Sequence, residues 1–287
     1  MIYKNLIEER KSVRDYKKDT LPKNILDKIY TFYENTERLV PGIGLSLMIK
    51  NQAEIYHQLN GTAGYEGIMI KAPHYILLLS EKKDHYIENS GYLGEKISLK
   101  ALESGVNTCW ITFPDSNKVK KRLFLDTDKE ITAIIALGYD SAETRTVDKT
   151  KVGGNYSKSK LKIVKNNIST RQDIKDIVFI DRWNKTASYE DLKSRGLLDA
   201  LNYARLAPSS LNRQPWRFII DGEKVVLTIK DDNQIKNYDE KIDIGISMLY
   251  FEAIVSQTLK KVDWTFEEPD KDYNIPGNYK IAGYCTV

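Results

Sequence analysis

An α+β protein made of two similar halves in one chain is predicted by three observations. The unbroken apolar run Tyr75-Ile76-Leu77-Leu78-Leu79, entered through Ala72-Pro73, reads as a strand of a sheet covered on both faces. The apolar positions Leu93, Ile97, Leu99 and Leu102 keep a helical spacing that Gly105 is placed to end. The order of elements then recurs further along. Arg38-Leu39-Val40-Pro41 is echoed by Arg205-Leu206-Ala207-Pro208, and Tyr75 to Leu79 by Val225 to Ile229. The helix around Gly94 to Leu102 has a counterpart in Asp243 to Ala253, with Gly245 near its start, and Gly138-Tyr139 recurs as Gly283-Tyr284.

Taken in order, the chain opens with a short helical run through Tyr3, Leu6 and Ile7, followed by Arg10-Lys11-Ser12-Val13-Arg14. A turn at Asp19 to Asn24 starts a helix through Ile25, Ile29 and Phe32. A strand is expected near Leu45 to Ile49, then a helical stretch and a loop dotted by Gly61, Gly64 and Gly67. Strand Tyr75 to Leu79, the helix from Tyr92 to Ser104, a core strand at Trp110 and Ile111, and strand Ile131 to Leu137 complete the first half. A polar, lysine-rich connection runs from about Asp140 to Ile174, and Ile177 to Arg182 is an extended piece entering the second half. We therefore expect a first half over 1–140, a connection over 141–176 and a second half over 177–287.

Composition narrows the function classes. Hydrophobic residues at 41% and charged residues at 29% of 287 fit a soluble globular protein with a real core. The longest apolar runs are too short to cross a bilayer, and charges at Lys4, Glu8, Glu9 and Arg10 interrupt any opening signal segment. A cytoplasmic protein with no membrane partner is the expectation. Two cysteines, Cys109 and Cys285, and three histidines show no disulfide or metal-ligand spacing, so no metal is expected. The net charge of +4 is mild, and the six lysines between Lys149 and Lys165 lack a stacking series or a groove-reading motif. They read as a solvated linker, and no nucleic-acid partner is expected.

The most informative stretch is Ala207-Pro208-Ser209-Ser210-Leu211-Asn212-Arg213-Gln214-Pro215-Trp216. It lies between the helical run Leu197, Leu198, Leu201, Ala204 and the strand-like Phe218 to Ile220, so it is a structured bend between helix and sheet. Prolines fix φ at both ends, and the serines and Asn212 can bond nearby backbone or a ligand. By residues alone, a proline-bounded helix terminus without ligand is the alternative. The run resembles the flavin-binding A-P-S-x-x-N-x-Q-P-W loop of the FMN-dependent nitroreductase family, in its tandem fused branch.

That resemblance implies a nitroreductase-like fold in which the two halves form an intramolecular pseudo-dimer. It also implies a flavin between them, held by an R-x-S-x-R segment from one half and the A-P-S-x-x-N loop from the other. Arg10, Ser12 and Arg14 match the first element, and Pro208, Ser209, Ser210 and Asn212 the second. Arginine forks and a hydroxyl suit a phosphate, and alternate residues of an extended segment share a face. Lys149 and Lys151 resemble the family's basic segment near the phosphate, with Arg145 able to replace either; an exposed lysine linker is the alternative. Backbone near Gly105 to Ile111 resembles the segment that faces flavin N5.

The reciprocal pieces look eroded. Pro41-Gly42-Ile43-Gly44 lacks the serines and asparagine, and Asp181-Arg182-Trp183-Asn184 lacks R-x-S-x-R. One FMN per chain and a vestigial second site follow from the resemblance. So does an NAD(P)H oxidoreductase that passes hydride through flavin N5 to a nitroaromatic, a quinone or a similar small acceptor, acting as a monomeric pseudo-dimer. No side chain is needed as an obligate acid or base, because the cofactor carries the chemistry. Two alternatives stay open: a flavin-binding sensor or storage protein without turnover, and a specialised reaction such as dehalogenation or flavin fragmentation.

Overall fold

The computed structural model of the chain describes residues 1–141, 170–231, 237–258 and 262–287. Strands β1 (Leu45–Asn51), β2 (His74–Ser80), β3 (Asn107–Ile111) and β4 (Glu130–Gly138) form an antiparallel sheet in the order β1-β2-β4-β3. The unbroken apolar run is explained by cover on both faces. Tyr75, Leu77 and Leu79 pack with Ile55 and Leu59 of α3 (Gln52–Leu59), and Val119 of α5 (Ser116–Arg122) joins the same layer. Ile76 and Leu78 point the other way, toward Ile29 of α2 (Lys23–Asn35) and Leu93 and Ile97 of α4 (Tyr86–Glu103).

The second sheet takes the order β5-β6-β7-β8, with β5 (Val178–Ile180), β6 (Trp216–Asp221), β7 (Lys224–Lys230) and β8 (Tyr279–Thr286). The extended piece expected at 177–182 is β5, added to the sheet edge parallel to β6. Val225, Leu227 and Ile229 face the core shared with α8 (Leu198–Ala204) and α9 (Asn237–Thr258). Val226 lies on the opposite face with Ile219 and Tyr273. The two shorter helices before β6 are α6 (Ile174–Ile177) and α7 (Tyr189–Ser194). Helix α1 (Tyr3–Glu9) starts the chain.

Helices α4 and α9 pack on each other at the centre, and their contact reveals an internal two-fold relation. A Cβ on Gly91 would lie 2.4 Å from the Ile242 carbonyl oxygen, and one on Gly245 would lie 1.9 Å from that of Glu88. The interval from Gly91 to Gly245 equals that from Glu88 to Ile242, so each partner of the contact repeats in the other half. Such reciprocity is the mark of an isologous interface. Gly245 therefore corresponds to Gly91 rather than to the Gly94 region suggested by the sequence echo.

Two further sequence expectations are corrected. Helix α4 begins at Tyr86, not near Tyr92, because α9 buries Glu88, Asn89 and Ser90 and removes the need for an apolar stripe there. The Gly138 and Gly283 echo does not hold in register. Gly138 ends β4 opposite Asn107, whereas Gly283 sits inside β8 opposite Leu227, where its missing side chain admits the Thr265 carbonyl. Both cysteines are free and buried. Among the described residues no cluster of metal-ligating side chains occurs, and no helix is long and apolar enough to cross a membrane.

Candidate functional site at the seam of the two halves

The bend between α8 and β6 contains a short 3-10 turn at Ser210–Asn212. Leu211, Asn212 and Gln214 have φ of 53°, 55° and 50°. Left-handed backbone at non-glycine residues costs roughly 1–2 kcal/mol each, so other contacts must hold it. Ser209 Oγ accepts from the Gln214 amide at 2.9 Å. The Gln214 side chain donates to the Thr170 carbonyl at 3.1 Å and accepts from the Gln172 amide at 2.8 Å. Asn212 donates to the same Thr170 carbonyl at 3.1 Å. Pro215 and Trp216 anchor the exit of the bend in the core.

Asp243, on α9, ties the turn to the helix. Its carboxylate accepts from the Ser210 amide at 3.0 Å and faces the Arg213 guanidinium at 3.4 Å. Burial pushes the Asp243 carboxyl well above the usual range, against the Ser210 amide and Arg213, which favour its charged form. Replacing it tests this anchor. Asp243→Asn keeps an acceptor for Ser210 and should cost little. Asp243→Ala leaves the half-buried Ser210 amide without its acceptor and should cost about 1 kcal/mol with loss of loop order. Equal denaturation midpoints for the two variants would remove Asp243 from this role.

On the first half, the Arg10 to Arg14 segment runs beside the edge strand β3. Ser12 pairs with Thr108, and the Val13 amide donates to the Thr108 carbonyl at 3.1 Å. The three predicted side chains have different partners. Arg10 turns inward, 6% exposed, to Glu95 on α4, with Nε to Oε1 at 2.8 Å and Nη2 to Oε2 at 3.2 Å. Its Nη1 donates to Ser12 Oγ at 2.9 Å. Arg14 is exposed and donates only weakly to the Ser12 carbonyl, at 3.4 Å.

Two further arginines stand beside the loop, and sequence reading did not assign either to the site. Arg171 donates from Nη1 to Asn212 Oδ1 and from Nη2 to the Leu206 carbonyl at 3.0 Å. Burial lowers its pKa, and the nearby charges of Arg10 and Arg205 lower it further, while Tyr250 opposes them. Arg205 reaches the Gln172 carbonyl at 3.4 Å, and its buried Nε has no hydrogen-bond partner. Neither Arg171 nor Arg205 has a carboxylate partner among the described residues. Half-buried cations without counter-charge, beside a strained loop with hydroxyls, fit an anionic group such as a phosphate. Lys149, Lys151 and Arg145 lie outside the described residues. Arg171 precedes the short helix α6 that leads into β5, inside a stretch read only as linker.

The pseudo-symmetric position in the molecule is built differently. By the helix interval set by the glycines, Asn89 corresponds to Asp243, and its Oδ1 accepts from the Val40 amide at 3.0 Å at the head of the shorter Pro41 loop. Glu95 corresponds to Leu249. Trp110 pairs with Ile135, and Thr265 pairs with Tyr284 at the matching place on β8. Thus the carboxylate and the indole of the first half become Leu249 and Thr265. His85 and Phe266 stack between the halves with centroids 3.8 Å apart and planes at 15°.

Comparison with known proteins agrees with this architecture. A structure from Thermotoga maritima MSB8 described as a "putative nitroreductase" is 19% identical, with a TM-score of 0.57 over 100% of this chain and 94% of that one. An "FMN-dependent Nitroreductase" from Clostridium difficile R20291, also 19% identical, aligns with a TM-score of 0.41 over 53% of this chain and 98% of its own. A nitroreductase family protein from Clostridium novyi NT is 17% identical, with a TM-score of 0.42 over 65% of this chain and 97% of that one. No curated protein sequence matches the chain. The family described as "Putative TM nitroreductase" matches residues 2–255. With two four-stranded sheets, the contact of Gly91 and Gly245 between their helices, and a family match over most of its length, the chain belongs to this nitroreductase family.

Proposed function

We propose that the protein is an FMN-dependent NAD(P)H oxidoreductase that holds one flavin at the seam of its two halves. It would pass electrons to a nitroaromatic, a quinone or a similar small acceptor. The observation that carries the reading is the pair Arg171 and Arg205, half-buried without carboxylate partners beside the strained Ser209 to Gln214 loop. FMN, when bound, supplies hydride uptake and release at its ring. The chain's own residues would bind and orient it.

In this reading Arg171 and Arg205 meet the phosphate charge, with Arg14 as a further cation; the lysines at 149 and 151 are carried as phosphate neighbours on the family resemblance alone. Pro208, Ser209, Ser210 and Asn212 give the flavin a rigid wall, and Ser12 contributes a hydroxyl from the first half. The loop's internal bonds prepare that wall before the cofactor arrives, which lowers the ordering cost of binding. The divisions 1–140, 141–176 and 177–287 describe the proposed units. The chain would act as a monomeric pseudo-dimer in the cytoplasm.

The test is a visible spectrum of the purified protein with flavin and protein quantified, followed by anaerobic NADPH and then NADH. About one FMN per chain that bleaches, and recolours with a quinone, is the expected result. Flavin that neither nicotinamide reduces would instead support a binding protein without turnover. Failure to take up FMN at all would sink the proposal.

A further inference from the structure

Glu95 is the most heavily engaged side chain near the seam. Its carboxylate is fully buried and accepts four hydrogen bonds: from Arg10 Nε at 2.8 Å, Arg10 Nη2 at 3.2 Å, Trp110 Nε1 at 2.7 Å and the Tyr250 hydroxyl at 3.0 Å. These donors come from the N-terminal segment, from β3 and from α9 of the second half. The carboxylate therefore joins three separate stretches at one point. Nothing in the second half repeats it, since Leu249 and Thr265 stand in the corresponding places.

Resemblance to the family implies that Arg10 contacts the flavin phosphate. The geometry points to another role: we infer that Glu95 captures Arg10 in a clamp that Tyr250 ties to the second half, so that Arg10 positions Ser12 and is not itself a phosphate ligand. This inference rests on the proposed flavin site. Two of the guanidinium's donors go to Glu95 and a third to Ser12 Oγ, and only 6% of the side chain is exposed. The Arg10–Glu95 pair is neutral as a unit, so it offers a phosphate little net attraction. Turning Arg10 toward a phosphate would leave a buried carboxylate without its counter-ion, which is strongly unfavourable. Arg171 and Arg205 carry no such obligation.

The clamp also explains how Ser12 is placed. Ser12 is held from one side by its pairing with Thr108 and from the other by Arg10 Nη1. Trp110, two positions after Thr108 on the same strand, returns to Glu95. Tyr250 then makes the arrangement depend on the seating of α9 against α4. The N-terminal segment and the second half are thus read by one carboxylate.

Riboflavin, which lacks the phosphate, separates the two roles. Affinities for FMN and riboflavin are measured in the wild type, in Arg171→Met, and in the charge-free pair Arg10→Met with Glu95→Gln. For a phosphate ligand, removal should cut the FMN-to-riboflavin preference by about ten- to a hundredfold. We expect that loss in Arg171→Met. In the Arg10→Met/Glu95→Gln double variant we expect both flavins to weaken by a similar factor, with the preference kept within about twofold. A collapse of the preference in the double variant as large as that in Arg171→Met would overturn the inference, as would unchanged affinity for both flavins.

A second readout needs no flavin. In apo-protein unfolding, Arg10→Met and Glu95→Gln should each lower the midpoint more than the two together, because each alone strands the other's charge. Additive losses would overturn the clamp. If the wild type binds neither FMN nor riboflavin, the proposed function fails while this cycle still decides the clamp.

Discussion

Gly245→Ala is expected to destabilise the protein by about 3 kcal/mol, although alanine in a helix interior ordinarily gains roughly 0.5–1 kcal/mol over glycine. The sign reverses because the new Cβ would lie 1.9 Å from the Glu88 carbonyl oxygen and 2.8 Å from the Tyr92 amide nitrogen. Both are backbone atoms of α4, so no side chain can swing aside; the helices must separate. Separation would disturb the core of both halves, since α9 contributes Met248, Leu249 and Phe251 to it. Gly91→Ala, facing Ile242 at 2.4 Å, should behave alike, whereas Gly277→Ala meets nothing within 4 Å and serves as the neutral control. Thermal or urea unfolding checks the ranking. A Gly245→Ala protein as stable as Gly277→Ala would mean that the two helices do not touch in this way.

Arg171→Met is expected to separate stability from cofactor binding. The substitution removes a guanidinium whose charge is disfavoured by burial and by Arg10 and Arg205, but it also removes the bonds to Asn212 and the Leu206 carbonyl. A base whose pKa is lowered on folding makes its charged form costly in the folded state at neutral pH, so deleting that charge offsets the lost bonds. Apo stability should therefore stay within about 1 kcal/mol of wild type. FMN binding should fall by about ten- to a hundredfold, and its dependence on salt should weaken, because a charge-assisted contact to phosphate is gone. The rise in unfolding temperature that FMN produces would shrink accordingly. If FMN protects Arg171→Met as well as it protects the wild type, the phosphate charge is met elsewhere.

Local pattern was enough for the parts of this molecule governed by neighbours in sequence. The apolar run at Tyr75 to Leu79 could only be a strand with both faces covered, and the proline-bounded stretch from Ala207 to Trp216 could only be a bend from helix to sheet. The repeated order of elements announced two halves, and the Pro41 loop already lacked the hydroxyls of its counterpart. The start of α4 was hidden, because Glu88, Asn89 and Ser90 look like a polar boundary until α9 covers them. Arg10 could be placed near the seam by its motif, yet its direction depended on Glu95, which lies on another element and carries no local signal of that pairing.

The same holds for Asp243 under the Ser210 turn and for Arg171 beside Asn212. Each is an interaction between groups far apart in the chain, decided by where helices and loops come to rest. Backbone propensity and apolar periodicity are properties of a short window, so the sequence by itself determined most elements, their repeated order and the loop that resembles a flavin-binding one. Which charges are buried together, and which of them are left without partners for a ligand, was decided only by the tertiary structure, because electrostatic pairing follows distance in space.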